Sequence, residues 1–244
     1  MENSEGQKVI VIGGITGGIG SELANSLKVA GHTVLGFARG DSEVPDYETV
    51  DATDPDALAE YFTEVSSEYG RIDAYVHAIG SIYLKPAHLT PPADFESTIL
   101  QNLSSAFFAL RAVTKIMQKQ GSGSCLFFST AAAQTGLANH EAIAAAKGGI
   151  EAMVRSAAAT YAPRGLRINA IAPTLTDTPL AKPIIGSEQA LAISKRMHPL
   201  GEIAHPDQVA SLAQWLISDS AQLVTGQTFV LDGGLSTIVP KPRA

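Results

Sequence analysis

VIVIGGITGGIG, residues 9–20, is the stretch of sequence that decides the fold. Its apolar beginning belongs to a predicted strand, Lys8–Ile12, and the glycines that follow open a predicted helix. Gly14, Gly18 and Gly20 have the spacing G-x-x-x-G-x-G. Glycine permits a tight turn and lets a pyrophosphate approach the backbone at the helix N-terminus. Because this turn joins a strand to a helix, it predicts a dinucleotide-binding unit rather than a plain flexible turn.

Strand-like and helix-like segments alternate along the rest of the chain. The predicted strands are short apolar runs, as in parallel strands buried on both faces: Lys8–Ile12, Thr33–Ala38, Tyr47–Asp51, Ala74–Ala78, Ser124–Ser129, Arg167–Ala172 and Gln227–Leu231. The longest predicted helices are Ala93–Gln120 and Ala142–Tyr161. Repeated strand–helix–strand units with right-handed crossovers predict one α/β domain over residues 1–244. Its expected architecture is a Rossmann-type doubly wound parallel sheet of about seven strands with helices on both faces.

Composition excludes several function classes. The net charge is −7 and no run of Lys or Arg occurs, so nucleic acid and anionic membrane surfaces are poor partners. The single cysteine, Cys125, lies in an apolar run and is predicted to be a buried thiol. The sequence shows no membrane span and no signal-peptide profile, so we expect a cytoplasmic protein. No metal site is predicted.

Beyond the glycine-rich turn, the motifs of this chain resemble those of the short-chain dehydrogenase/reductase family over nearly the whole length. The family's acidic residue after the third strand falls on Asp51, and its structural Asn falls on Asn102. Its Arg-x-Asn-x-x-x-Pro-Gly segment reads Arg167 to Thr174, and its Asp-Gly-Gly begins at Asp232. The resemblance implies that a nicotinamide dinucleotide is bound by Gly14, Thr16, Gly17, Gly18, Ile19, Gly20, Arg39, Asp51, Ala52, Ala78, Gly80, Lys147, Pro173, Thr176 and Thr178.

The end of the second predicted strand bears on the choice between NADP(H) and NAD(H). An acidic residue there would repel the 2′-phosphate of NADP(H). The region reads Gly36-Phe37-Ala38-Arg39-Gly40, with no carboxylate until Asp41. Arg39 can pair with a phosphate through two hydrogen bonds, so NADP(H) is predicted and NAD(H) is the weaker alternative. The other interpretation of Arg39 is a solvated surface residue.

The resemblance also implies a catalytic group of Asn, Ser, Tyr and Lys, in which Tyr is the acid or base for hydride transfer at a carbonyl or alcohol carbon. Asn102 and Lys147 match, and Thr130 takes the place of Ser with its hydroxyl kept. The Tyr position is Ile143, which has no proton to give. Loss of a positioned general acid costs about 10²–10⁴ in rate.

Two polar residues just before this position are candidates for the missing proton donor. His140 and Glu141 stand where the chain enters the predicted helix, and Tyr83 is a weaker candidate. Each of the first two has a structural alternative, because an acidic residue near a helix N-terminus is favourable for the helix dipole alone. The segment His77-Ala78-Ile79-Gly80 stands where the family has Asn-Asn-Ala-Gly. His77 is predicted to be a packed residue at a strand end.

Three functions remain open at this point. The first is an NADP(H)-dependent reductase or dehydrogenase with an unusual proton donor, acting on a small, partly apolar carbonyl or alcohol. The second is a family member with impaired catalysis that binds the dinucleotide as a sensor or scaffold. The third is a lyase or isomerase that uses His140 or Glu141 as a base.

Residues 180–203 are predicted to form an apolar substrate flap. The small residues of the helix Ala142–Thr160 predict a homodimer or homotetramer.

Overall fold

The computed structural model describes residues 6–40 and 47–239. Within them, seven parallel strands form one sheet in the order β3-β2-β1-β4-β5-β6-β7. The strands are β1 (Val9–Gly13), β2 (Thr33–Ala38), β3 (Glu48–Thr49), β4 (Ala74–His77), β5 (Gly123–Phe128), β6 (Leu166–Pro173) and β7 (Thr228–Leu231). The order reverses direction at β1, which lies between β2 and β4. The predicted doubly wound parallel sheet is confirmed.

Helices cover both faces of this sheet. They are α1 (Gly18–Val29), α2 (Pro55–Tyr69), α3 (Pro92–Ile99), α4 (Ser105–Gln120), α5 (Glu141–Tyr161), α6 (Lys182–Ile185), α7 (Glu188–Met197) and α8 (Pro206–Ile217). Successive side chains of a strand point to opposite faces. Accordingly Ile10 and Ile12 join a core with α1 and α8, whereas Val11 joins a second core with α2, α4 and α5. Two apolar layers therefore hold the carboxyl ends of the strands in fixed positions.

The helix predicted over Ala93–Gln120 is interrupted. The turn Leu100–Ser104, between α3 and α4, has π-helical hydrogen bonding. The side-chain amide of Asn102 donates to the Thr98 carbonyl at 3.0 Å, which is the carbonyl that an α-helix would pair with the amide of residue 102. This competition accounts for the wider turn, and such turns occur often at functional sites.

Two other parts of the chain differ from the predicted elements. The third strand is only Glu48–Thr49 rather than Tyr47–Asp51. The predicted flap, residues 180–203, contains α6 and α7, and a Ser187 side chain that accepts from the Ala190 amide begins α7. No helix in residues 6–40 and 47–239 combines the length and the apolarity needed to cross a membrane.

Candidate functional site

Two adjoining cavities open at the carboxyl ends of the strands, around the point where the strand order reverses. The first, of about 210 Å³, lies over β1 and β2. The second, of about 300 Å³, lies over β5 and β6. Ala78, Ile79 and Gly80, which directly follow β4, line both cavities. Ligands of doubly wound sheets bind at this reversal point, so the two cavities form one elongated candidate site.

The glycine-rich turn forms one end of this site because side chains would not fit there. Gly14 has φ +80°, and a Cβ on it would lie 2.6 Å from the Ala78 carbonyl oxygen. A Cβ on Gly18 would lie 2.8 Å from the Cγ2 of Thr178, and one on Gly20 would lie 2.2 Å from the Gly14 oxygen. Among the residues that the structure describes, no side chain caps the N-terminus of α1, which begins after Gly17. Its amides are therefore available to a phosphate.

The far wall of the first cavity carries charged and polar side chains. Thr16, Gly17, Arg39, Asp51 and Ala52 line it. Asp51 accepts hydrogen bonds from the amide and the hydroxyl of Thr53, at 2.9 and 2.8 Å. The hydrogen bond from the backbone amide of Thr53 is the main cause that lowers the pKa of Asp51, and the charge of Arg39 adds a smaller effect. Asp41, the next carboxylate in the sequence, lies outside the described residues.

Lys147 and Asn102 converge where the two cavities meet. A Cβ on Gly80 would lie 3.2 Å from the Lys147 Nζ and 2.9 Å from the Asn102 Oδ1. Lys147 donates to the Phe128 carbonyl at 3.0 Å, and burial lowers the pKa of its ammonium to about 8. Asn102 accepts from the Ser81 amide and donates to the Ser81 hydroxyl. The structure therefore brings two of the predicted site residues together beside Gly80, which lines both cavities.

A buried network fixes the helix that carries Lys147. The Ser129 hydroxyl lies 2.7 Å from an oxygen of Glu151 and 3.2 Å from the Lys147 carbonyl. Gln134 donates to the same Glu151 oxygen at 3.1 Å. These bonds tie the residue after β5 to α5, and they set the position of Lys147. From the sequence, Ser129 was predicted only as the end of a strand, and this network was not found.

The second cavity contains the remaining predicted catalytic positions. Thr130 lines it, and its hydroxyl oxygen accepts from the Ala132 amide at 3.3 Å. Ile143 is 6% exposed and lines the same cavity, one helical turn before Lys147 on α5. At this place in the wall the structure offers an aliphatic side chain and no proton donor.

The three candidates for the missing proton donor lie in different surroundings. His140 lines the second cavity, and its Nδ1 lies 2.7 Å from the Ala138 carbonyl oxygen. Since a carbonyl only accepts, Nδ1 carries the hydrogen. Glu141 is exposed in the first turn of α5 and does not line either cavity. Tyr83 donates to Asp94 at 2.9 Å and is likewise outside both linings. Only His140 faces the site.

The opposite wall of the second cavity comes from the end of β6 and the predicted flap. Pro173, Thr176 and Thr178 line it, as does Ile19 from the glycine-rich turn. Its apolar flap residues are Leu180, Ile184 and Met197. Two polar residues of this wall were not singled out from the sequence: the Thr174 hydroxyl lies 2.6 Å from the Nε2 of His198. Thr174 stands where the family motif has Gly, which is the one sequence signal that could have found this pair.

His77 lies below the cavities and packs as predicted. Its Nδ1 lies 2.6 Å from the Tyr75 hydroxyl, and its Nε2 lies 3.2 Å from the Ser105 hydroxyl. Burial, and to a smaller degree the charge of Lys147, lowers the pKa of His77 to about 3. The ring is therefore neutral at physiological pH and has a structural role.

Comparison with known proteins decides the family. The enoyl-(acyl carrier protein) reductase family matches residues 14–236. The chain is 32% identical over 243 residues to the D-threitol dehydrogenase of Mycolicibacterium smegmatis, covering 93% of this chain and 92% of that protein. It is 31% identical over 230 residues to the cis-4-hydroxycyclohexanecarboxylate dehydrogenase of Sinomonas cyclohexanicum, covering 94% and 87%. This chain belongs to the short-chain dehydrogenase/reductase family.

The structural comparison agrees with that assignment. The ligand-free aldohexose dehydrogenase of Thermoplasma acidophilum superposes with a TM-score of 0.91 at 28% sequence identity. The match covers 98% of this chain and 97% of that one. As a short-chain dehydrogenase/reductase, the chain is an oxidoreductase, and the relatives named above are dehydrogenases.

Proposed function

We propose that this chain is an NADP(H)-dependent oxidoreductase that interconverts a small, partly apolar carbonyl compound and its alcohol, with a proton donor other than Tyr. One observation carries the proposal: Lys147 and Asn102 converge on Gly80, which lines both the glycine-rich cavity and the apolar cavity. A dinucleotide spanning the two cavities would pass this point. The glycine positions and the uncapped N-terminus of α1 fit a dinucleotide, because side chains would fill the space that it needs.

Each part of the site has a role in this proposal. Gly14, Gly18 and the start of α1 would bind the pyrophosphate, and Arg39 would bind the 2′-phosphate. Lys147 would bind the nicotinamide ribose, and Asn102 would fix the loop that begins at Ser81. The nicotinamide, when bound, exchanges a hydride with the substrate carbon. Thr130 would hold the substrate oxygen in the second cavity.

The proton for that oxygen must come from a group that faces the second cavity. His140 meets this requirement, whereas Glu141 and Tyr83 do not. The Nδ1–H of His140 is held by a backbone carbonyl, which leaves Nε2 as the atom that takes up or gives the proton. In the reductive direction the imidazolium would lose its Nε2 proton to the substrate oxygen as the carbonyl carbon gains the hydride.

Cofactor preference is tested by titrating NADPH and NADH into the protein and following binding by fluorescence. We expect NADPH to bind at least tenfold more tightly, since Arg39 adds a charge-assisted contact to the phosphate. Arg39→Ala should weaken NADPH binding and leave NADH binding unchanged. Arg39→Lys keeps the charge but not the bidentate geometry, so its affinity for NADPH should lie between those of the wild type and Arg39→Ala. Equal affinities for both cofactors, unaltered by Arg39→Ala, would refute the preference.

Turnover is tested with NADPH and a panel of cyclic ketones, keto acids and keto sugars. The apolar lining of the second cavity favours the cyclic ketones over the keto sugars. His140→Ala should abolish reduction, and Glu141→Ala should leave it nearly unchanged. The alternative function, a dinucleotide-binding member with impaired catalysis, is favoured by Ile143. Tight NADPH binding with no reduction of any member of the panel would establish that alternative.

A further inference from the structure

We infer that Thr174 and His198 form a recognition site for a second oxygen of the substrate, a hydroxyl group that lies apart from the reacting carbon. The inference rests on the proposed function, because it places this hydroxyl in the same cavity as Lys147 and Thr130. It predicts the substrate class: a hydroxy-ketone or diol on an otherwise apolar frame.

The geometry of the pair determines which hydrogen-bonding group it presents. The Nδ1 of His198 lies 2.7 Å from the Ser194 carbonyl oxygen, so this nitrogen carries a hydrogen. In the neutral ring the Nε2 then has only a lone pair. The Thr174 hydroxyl, 2.6 Å away, must donate its single hydrogen to that nitrogen. What Thr174 has left for the cavity is the lone pairs of Oγ1, which accept a hydrogen bond and cannot donate one.

Burial fixes this arrangement. His198 is 5% exposed and lies directly after α7. Its Nδ1 donates to the Ser194 carbonyl and its Nε2 accepts from the Thr174 hydroxyl. Thr174 is half-buried, and both residues line the second cavity. Their neighbours in the wall are Leu175, Leu180 and Met197, which are apolar. A hydroxyl on a ligand would therefore find an acceptor between apolar side chains, where a misplaced polar group is costly.

The position of the pair relative to the reacting centre limits the size of the substrate. Thr174 directly follows the end of β6, and the Phe128 carbonyl that holds Lys147 ends β5. The paired residue of Phe128 is Ile171, so Thr174 lies three residues, about 10 Å, further along the strand direction. Because Thr174, Thr130 and Lys147 line one cavity of about 300 Å³, we expect the two substrate oxygens on opposite sides of a small frame, such as carbons 1 and 4 of a six-membered ring.

The test compares three alcohols of one frame in protein saturated with NADPH: cyclohexanol, trans-1,4-cyclohexanediol and trans-4-methoxycyclohexanol. Both cofactor and ligand are in the reduced state, so no hydride moves and calorimetry reports binding alone. At pH 8, where histidine side chains are ordinarily neutral, the diol should bind about fivefold to tenfold more tightly than the methoxy ether, whose second oxygen carries no hydrogen to donate.

Two matched variants separate recognition from folding. Thr174→Val keeps the shape and removes the hydroxyl, and it should bring the diol-to-ether ratio to about one. Thr174→Ser keeps the hydroxyl and should preserve the ratio. Thermal unfolding of both variants controls for loss of structure, and cyclohexanol binding should not change in either of them.

The inference is overturned if the wild-type protein binds the ether as tightly as the diol, if no ligand binds, or if Thr174→Val leaves the ratio unchanged. Failure of the proposed function has a different signature. A protein that does not bind NADPH would refute that function, whereas the same diol-to-ether ratio measured without cofactor would still decide the inference about Thr174.

Discussion

Replacing Ile143 with Tyr is expected to supply the proton donor that this oxidoreductase lacks at that position. Ile143 and Lys147 are four residues apart on α5, so their side chains lie on one face of the helix. Both line the second cavity, which Thr130 also lines. A tyrosine ring at position 143 would extend into this cavity, and its hydroxyl would lie between the Lys147 ammonium and the Thr130 hydroxyl.

The size of the effect follows from two opposing contributions. A positioned general acid contributes about 10²–10⁴ in rate, and the ammonium of Lys147 would lower the phenol pKa toward the working range. Because burial sets the pKa of Lys147 to about 8, that ammonium is still present at pH 7. Against this, a larger side chain in the packed wall costs about 1–3 kcal/mol. In a His140→Ala background, from which the proposed donor is absent, we expect Ile143→Tyr to raise carbonyl reduction with NADPH by about tenfold to a thousandfold.

The assay measures kcat and KM for a cyclic ketone in the wild type, Ile143→Tyr and Ile143→Phe, each with His140 present and with His140→Ala. The Phe variant is the matched control, since it adds the same ring without the hydroxyl and should give no gain. With His140 present as the donor, Ile143→Tyr should instead lower the rate by crowding the site, as should Ile143→Phe. The expected gain from Ile143→Tyr is contradicted if every variant binds NADPH and none reduces any carbonyl.

Three further predictions concern stability and assembly. Burial lowers the pKa of Lys147 from 10.5 to about 8, so the unfolded chain binds this proton more tightly than the folded protein does. The free energy of unfolding should therefore rise by about 2 kcal/mol between pH 7.5 and 9.5. Denaturant melts should show this rise in the wild type and lack it in Lys147→Met. Ser129→Ala removes one of the two hydrogen bonds to the buried Glu151 and should cost about 1–3 kcal/mol in the same assay, an expectation that an unchanged midpoint would contradict. A Cβ on Gly148 meets no atom of residues 6–40 and 47–239 within 4 Å, so Gly148→Leu should fold normally but block close approach of a second α5. Light scattering should show a dimer or tetramer for the wild type and a smaller species for the variant, and a monomeric wild type would refute the assembly.

Most of the fold could be predicted because its local signals agree with each other. Thr33–Ala38 is a strand with the predicted bounds, since a largely apolar run between turn residues has few alternatives in a parallel sheet. The helix break at Leu100–Ser104 could not be predicted. It depends on the Asn102 side chain turning back to the Thr98 carbonyl, and that choice is coupled to the contact of Asn102 with Ser81 in another part of the chain.

The same distinction applies to the site. The residues of the glycine-rich turn could be named from the sequence because their spacing is itself the signal. Thr174 and His198 are separated by 24 positions, and no spacing rule connects them. The sequence placed His140 and Glu141 side by side as equal candidates. Only the direction in which each points at the start of α5 distinguishes them, and that direction is set by tertiary packing.

The buried ammonium of Lys147 bears on whether Ile143 marks lost catalysis or different catalysis. A buried ammonium is costly to folding, and Lys147 is such a group, with its pKa lowered by burial. A scaffold that merely binds a dinucleotide through its glycine-rich turn would be more stable with an uncharged residue there. The presence of Lys147, held by Phe128 and pointing to Gly80, therefore favours a working active site. The comparison of Ile143→Tyr with Ile143→Phe tests this directly, because only an otherwise complete site can gain from one added hydroxyl.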